Sequence, residues 1–170
     1  KVLLIEKGRA IDRRRCPMKE KQVQCVQCKP CSITCGWGGA GAFSDGKLTM
    51  STEVGGHLDE YLDREELKKL VHEVDQIYLN FGAPEKLYTT DSKLLDKFVR
   101  DATMADLHLE YSPIRHLGTG RSQEVLIAMK DQLIAQGVEI KTSLAVKRIL
   151  TKNGDVTGVE TDEGSFYAPR

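Results

Sequence analysis

A surplus of either charge is missing from this sequence. The 170 residues carry 25 Lys and Arg against 25 Asp and Glu, a formal net charge of zero. That balance points away from nucleic acid and from an anionic membrane as whole-surface partners. Long apolar runs are missing as well, and none approaches the roughly 20 residues that a spanning helix needs. The apolar run at 2–5 is far too short for the core of a signal peptide. There is no internal repeat and no low-complexity tract. Dispersed cysteines are absent too: four of the five fall within eleven residues, unlike the framework of a secreted disulfide scaffold. A cytoplasmic, reducing setting with a metal or redox use for the thiols is therefore expected. With 40% hydrophobic and 29% charged residues, the composition is that of a globular chain of one-domain size.

Patterned elements open and close the chain. Residues 1–6, K-V-L-L-I-E, form the short continuous apolar run that a strand covered on both faces requires. Glu6 ends it, followed by Lys7 and Gly8. At the end of the second strand of a doubly wound sheet, an acidic residue accepts hydrogen bonds from the ribose of an adenine dinucleotide. Charges also end strands without any ligand, so Glu6 alone decides nothing. Residues 9–24 are polar, with Arg13, Arg14 and Arg15 ahead of Cys16-Pro17; they read as a solvated loop, or as one offering an arginine to phosphate.

The clearest helix covers 63–81. Asp63 and Glu66 resemble a capping box, and Leu67, Leu70, Val71, Val74, Ile77, Tyr78 and Phe81 give one apolar face. Gly82 and Pro84 stop it. A second helix is expected over 92–105 behind Asp91, a strand over 107–114, and a helix over about 123–136 capped by Ser122. Arg115, His116 and Thr119 occupy the turn between those last two, facing a substrate or simply lying in a loop. Strands follow at 138–141, 144–151, 156–161 and 165–168. Asn153-Gly154 and Glu163-Gly164 mark the hairpin turns of a closing meander. The reading is one domain over 1–170, with 57–121 a largely helical insertion.

Residues 25–49, C-V-Q-C-K-P-C-S-I-T-C-G-W-G-G-A-G-A-F-S-D-G-K-L-T, carry the chemistry. Gly36, Gly38, Gly39, Gly41 and Gly46 are too dense for a helix or strand interior; such backbone adopts positive φ or lets a ligand approach closely. Residues 36–41 match G-x-G-x-x-G, but no buried strand precedes them and no long helix follows, so they fail as a primary dinucleotide fingerprint. Residues 41–47 match a P-loop, yet Leu48 stands where the magnesium-binding hydroxyl belongs. An NTPase is excluded. Cys25, Cys28, Cys31 and Cys35 repeat the spacing of bacterial ferredoxins, though Gly36 replaces the usual proline and Cys16 is a further ligand candidate. An iron–sulfur cluster, zinc, a dithiol redox pair (Cys25/Cys28 or Cys28/Cys31) and loose thiols all remain open. Trp37 either stacks on a ligand or covers the loop.

Taken together, K-V-L-L-I-E-K-G, G-G-A-G-A-F-S-D-G-K-L and the terminal helix–strand–meander resemble FAD-dependent dehydrogenases of the glutathione-reductase-like superfamily. The resemblance implies an α/β fold, a partial Rossmann-like FAD/NAD(P)-binding domain with a C-terminal β-meander. It implies a flavin-dependent oxidoreductase segment that moves hydride or electrons between FAD and an unidentified small-molecule substrate. Glu6, with Lys7 beside it, would hold the adenosine ribose. Gly38, Gly39, Ala40 and Gly41 would lie along the pyrophosphate and ribityl chain. Ser44, Asp45, Gly46 and Lys47 would approach the flavin ring, and Ala145 and Val146 would offer backbone groups to the adenine. The family's first strand and fingerprint would precede Lys1, and a closing strand would follow Arg170. The expectation is an excised segment, inactive by itself, whose partner is the remainder of the FAD-binding domain. The alternative function is a cysteine-ligated iron–sulfur or zinc electron-transfer module.

Overall fold

The computed structural model describes residues 1–118 and 120–168. Helix and sheet are mixed, compatible with the α/β class. The order is β1 (Leu3–Glu6), α1 (Pro17–Lys21), β2 (Lys47–Thr49), α2 (Arg64–Asn80), β3 (Leu87–Tyr88), α3 (Ser92–Met104), β4 (Ile114–His116), α4 (Arg121–Ala135), β5 (Glu139–Thr142), β6 (Val146–Lys152), β7 (Asp155–Thr161) and β8 (Gly164–Tyr167). Two compact units result: Lys1–Ser44 with Leu126–Arg170, and Asp45–Val125. Among the described residues, no helix is long and apolar enough to cross a membrane.

In the first unit, β1 and β5 pair in parallel, with Leu3 opposite Glu139 and Glu6 opposite Thr142. The ladder continues past the strands: Leu144 N donates to Glu6 O at 3.1 Å, and Ser143 N donates to Gly8 O at 2.6 Å. Those bonds fix the strand end that carries Glu6. The meander expected at the C-terminus is present, in the antiparallel order β6–β7–β8. Its first turn places Asn153 at φ 54° and Gly154 at φ 90°, the pair of positive values that a two-residue hairpin of matching twist requires. Buried apolar side chains here are Ile11, Ala42 and Leu144.

The second unit holds an antiparallel sheet in the order β2–β4–β3. Its α2 is capped as the sequence suggests, with Glu66 N donating to Asp63 Oδ1 at 2.8 Å. The strand expected over 107–114 is not formed; only Ile114 belongs to β4. Pro113 lacks the amide that a strand between two neighbours must donate, so the ladder starts one residue after it. The first turn of α4 includes Ser122 rather than beginning after it, and among the described residues the Ser122 hydroxyl has no hydrogen-bond partner. The α3 helix buries no residue of its own, leaving Leu94, Phe98 and Val99 exposed.

Candidate functional site

The first unit contains a cleft of about 440 Å³ whose walls include Glu6, Cys35, Trp37, Gly38 and Gly39, with Leu126 and Met129 from α4. Glu6 enters it from the end of β1. Its Oε1 accepts from Gly8 N at 2.6 Å and lies 3.7 Å from Cys35 Sγ, which donates to it. Glu6 thus turns back toward the glycine loop.

That loop is anchored from beneath by Arg14, which is only 3% exposed. Its Nε donates to Ser32 O at 2.9 Å, and its two terminal nitrogens donate to Trp37 O and Ile33 O, each at 2.7 Å. The guanidinium also lies over the Phe43 ring, 4.6 Å from its centroid. Burial pushes the Arg14 pKa down, while the nearby Cys35, Glu6 and Cys31 oppose that shift. All three carbonyls belong to the 32–37 segment, so one buried side chain sets the course of the backbone through the cysteines and into the glycines. The sequence pointed to an arginine run but not to this role. Which of three adjacent arginines turns inward is a tertiary matter.

Trp37 is held at both ends. Its N donates to Arg9 O at 3.0 Å, and its indole Nε1 donates to Leu126 O at 2.9 Å. It therefore forms cleft wall against α4. Gly38 sits under Leu126: a Cβ there would lie 2.5 Å from Leu126 Cδ1. Gly39, at φ 59°, has nothing within 4 Å of a Cβ position among the described residues.

The other expected cofactor residues divide. Lys7 is exposed, as are Ala40 and Gly41 in the 3-10 turn Ala40–Phe43. Ser44 Oγ donates to Gly41 O at 2.8 Å. Ala145 is half-buried in the link to β6. Val146 lines a different, larger groove of about 650 Å³ with Val2, Ile5, Val156 and Phe166. The structure thus brings Glu6, Gly38 and Gly39 together, and places Val146 elsewhere.

Asp45, Gly46 and Lys47 lie in the second unit. Lys47 Nζ pairs with Asp45 Oδ2 at 2.7 Å, and that hydrogen bond holds the Asp45 carboxyl below its usual range, with His116 adding a smaller effect. Gly46 sits at φ 66°, packed against Ser122 Oγ and Leu117, and its carbonyl accepts from Leu117 N at 2.7 Å. Arg115, a candidate for facing a substrate, instead is buried beside Asp75. Its Nε and Nη2 donate to the two carboxylate oxygens at 2.5 and 2.8 Å, and Nη1 donates to Pro84 O and Glu85 O. The Asp75 hydrogen bonds raise the Arg115 pKa. Four of its five guanidinium N–H groups are taken by these acceptors. His116 packs edge-on to Tyr88, its Nε2 is buried without a partner among the described residues, and Thr119 lies outside them.

The metal reading is not supported. Among the described residues, no three His, Cys, Asp or Glu side chains converge as a metal site. All five cysteines are free: Cys25, Cys28 and Cys31 are exposed, and Cys16 and Cys35 are half-buried. The reason is local. Cys35 is drawn inward to Glu6, while Cys16 precedes α1 as its N-cap residue. Short spacing permits convergence, but here Cys25, Cys28 and Cys31 stay exposed while Cys35 turns into the cleft. The amides of Ile33 and Thr34, and then the Thr34 side chain, hold the Cys31 pKa down, with Arg14 contributing less.

No family model matches the chain, and no curated protein matches it. Solved structures do. The L-amino acid deaminase from Proteus vulgaris is 23% identical over 62% of this chain and 25% of its own, with a TM-score of 0.29. The L-proline dehydrogenase from P. horikoshii is 20% identical over 63% of this chain and 27% of its own, with a TM-score of 0.28. The L-amino acid deaminase from Proteus myxofaciens, in complex with anthranilate, is 14% identical over 98% of this chain and 43% of its own, with a TM-score of 0.42. The chain spans between a quarter and less than half the length of these proteins.

Proposed function

We propose that this chain is part of a flavin-dependent oxidoreductase and that its first unit holds the adenosine half of FAD. One observation carries the reading: Glu6, at the tip of a parallel strand, opens onto the same cleft as Gly38 and Gly39. Residues 6 and 38 are far apart in sequence, and neither needs the other for packing. An acidic strand tip accepts hydrogen bonds from a ribose diol, and open glycine backbone next to it lets a pyrophosphate approach.

The residues present fit that half of the cofactor. Oε1 of Glu6 is engaged by Gly8 and Cys35, which leaves Oε2 for a ribose hydroxyl. Gly39 provides backbone with no side chain among the described residues in the way. When bound, FAD supplies the electron-accepting ring, and the chain's own residues supply binding and orientation. In this reading Ala145 addresses the adenine, and the substrate is a small molecule. Val146, in a separate groove, drops out of the adenine contacts. That apolar groove along β1 and the meander suits the remainder of a larger FAD-binding domain, and a cytoplasmic location goes with it.

The test is binding of ADP, the half of FAD that the cleft addresses, by isothermal titration calorimetry. Saturable one-to-one binding that Glu6→Gln weakens by roughly ten- to a hundredfold is expected, the loss of one or two hydrogen bonds to a charged acceptor. ADP binding that is indifferent to Glu6→Gln, or no binding at all, would remove the reading.

A further inference from the structure

A pair of thiols meets the cleft at Cys35, which lines it and bonds Glu6. Cys31 and Cys35 occupy a single backbone turn, closed by Cys35 N donating to Cys31 O at 2.9 Å. Arg14 holds that turn from below through Ser32, Ile33 and Trp37, so neither sulfur is needed to keep it in place. The two thiols face different surroundings. Cys31 is exposed and receives the Ile33 and Thr34 amides. Cys35 is half-buried in the cleft, with its S–H on Glu6.

On a helical turn, side chains four residues apart stand about 5–6 Å apart at Cβ; the bond from Cys35 N to Cys31 O gives this turn the same i to i+4 closure, and a disulfide requires about 4 Å. Closing that gap takes a shift of the Cys31 end of the turn, whose Ser32 and Ile33 carbonyls Arg14 holds. Cys25 and Cys28 are exposed as well, but lie outside this turn.

We propose that Cys31 and Cys35 form a peroxide-reactive dithiol at the edge of the cleft, with Cys31 the attacking sulfur and Cys35, which lines the cleft, the resolving one. The Cys31 sulfur attacks one oxygen of a hydroperoxide; the O–O bond breaks, an S–O bond forms, and an alcohol or water leaves with the proton. The Cys35 sulfur then displaces the hydroxyl of the Cys31 sulfenic acid. The S–S bond forms, and a second water leaves with the Cys35 proton. Two thiols are oxidised by two electrons and the hydroperoxide is reduced by two. Cys35 gives up its hydrogen bond to Glu6, so the oxidised pair alters the cleft. The chemistry does not rest on the flavin reading, because it needs no nucleotide.

The experiment treats the whole chain with stoichiometric hydrogen peroxide, then maps thiols by tandem mass spectrometry without reduction. Trp37, the single tryptophan, reports the turn by its emission. A Cys31–Cys35 link is expected, formed together with a change in Trp37 emission. Cys25→Ser and Cys28→Ser should leave both signals in place. Cys35→Ser should lose the link and the emission change but leave a sulfenic acid on Cys31 that dimedone captures. Linkage through Cys25 or Cys28, sulfenic acid spread evenly over the exposed cysteines, or no reaction would each overturn the proposal. ADP binding by the reduced chain is read separately and stands or falls without it.

Discussion

Gly8 and Gly36 pass each other at a distance that leaves no room for a methyl group. A Cβ on Gly8 would sit 2.5 Å from Gly36 Cα and 2.6 Å from the Cys35 carbonyl carbon. Both obstacles are backbone, so no rotamer change relieves them. This crossing brings the turn after β1 against the start of the glycine loop, and it keeps Glu6 facing the cleft.

Gly8→Ala should therefore be severe. Overpacking against backbone costs about 1–3 kcal/mol or more, and the loop must move to relieve it. Urea denaturation should show a loss in that range, and ADP binding should fall with it. A variant of unchanged stability would mean that the crossing is not tight.

Arg14→Lys tests what positions the loop. A single ammonium cannot span three carbonyls that a planar fork reaches at 2.7–2.9 Å. Each buried carbonyl left without a partner costs about 1–3 kcal/mol. Hydrogen exchange should quicken over 31–39 more than in β6–β7. Uniform loss of protection along the chain would contradict a local role.

Arg115→Ala should destabilise the second unit strongly, because it strands a buried Asp75 carboxylate as well as two carbonyls. Breaking a buried pair by removing one partner typically costs about 3–5 kcal/mol. Thermal unfolding should show it. The double change Arg115→Met with Asp75→Leu should recover most of the loss. If Arg115 served a substrate instead, stability would hold and only activity would fall.

Acid should expose the Asp45–Lys47 pair. The Asp45 pKa is depressed in the folded state by Lys47, so its contribution is complete above the unfolded carboxylate value of about 4 and is lost as pH falls through the lower folded value. Lys47→Met should raise the Asp45 pKa, read by carboxylate chemical shifts in an NMR titration. The stability gap between wild type and Lys47→Met should be present at neutral pH and shrink in acid. A gap that widens on acidification would invert the sign and refute the pairing.

Sequence alone determined the elements whose cause is local. Apolar spacing and the Asp63 cap placed α2, continuous hydrophobicity placed β1, and Asn153-Gly154 placed the first hairpin of the meander, since positive φ at both turn positions is a property of those residues themselves. The glycine-dense stretch was visible for the same reason. Tertiary structure alone decided which groups meet. Arg14 rather than Arg13 or Arg15 turned inward, Cys35 went to Glu6 instead of to a metal, and Arg115 was taken by Asp75, forty residues away. The short strands β2 and β3 also escaped the sequence, because each is held by its ladder with β4 rather than by any pattern of its own. Propensity and periodicity act over one or two turns of chain. A buried charge is settled by whichever distant carbonyl or carboxylate can compensate it, and that choice is made only when the chain has folded.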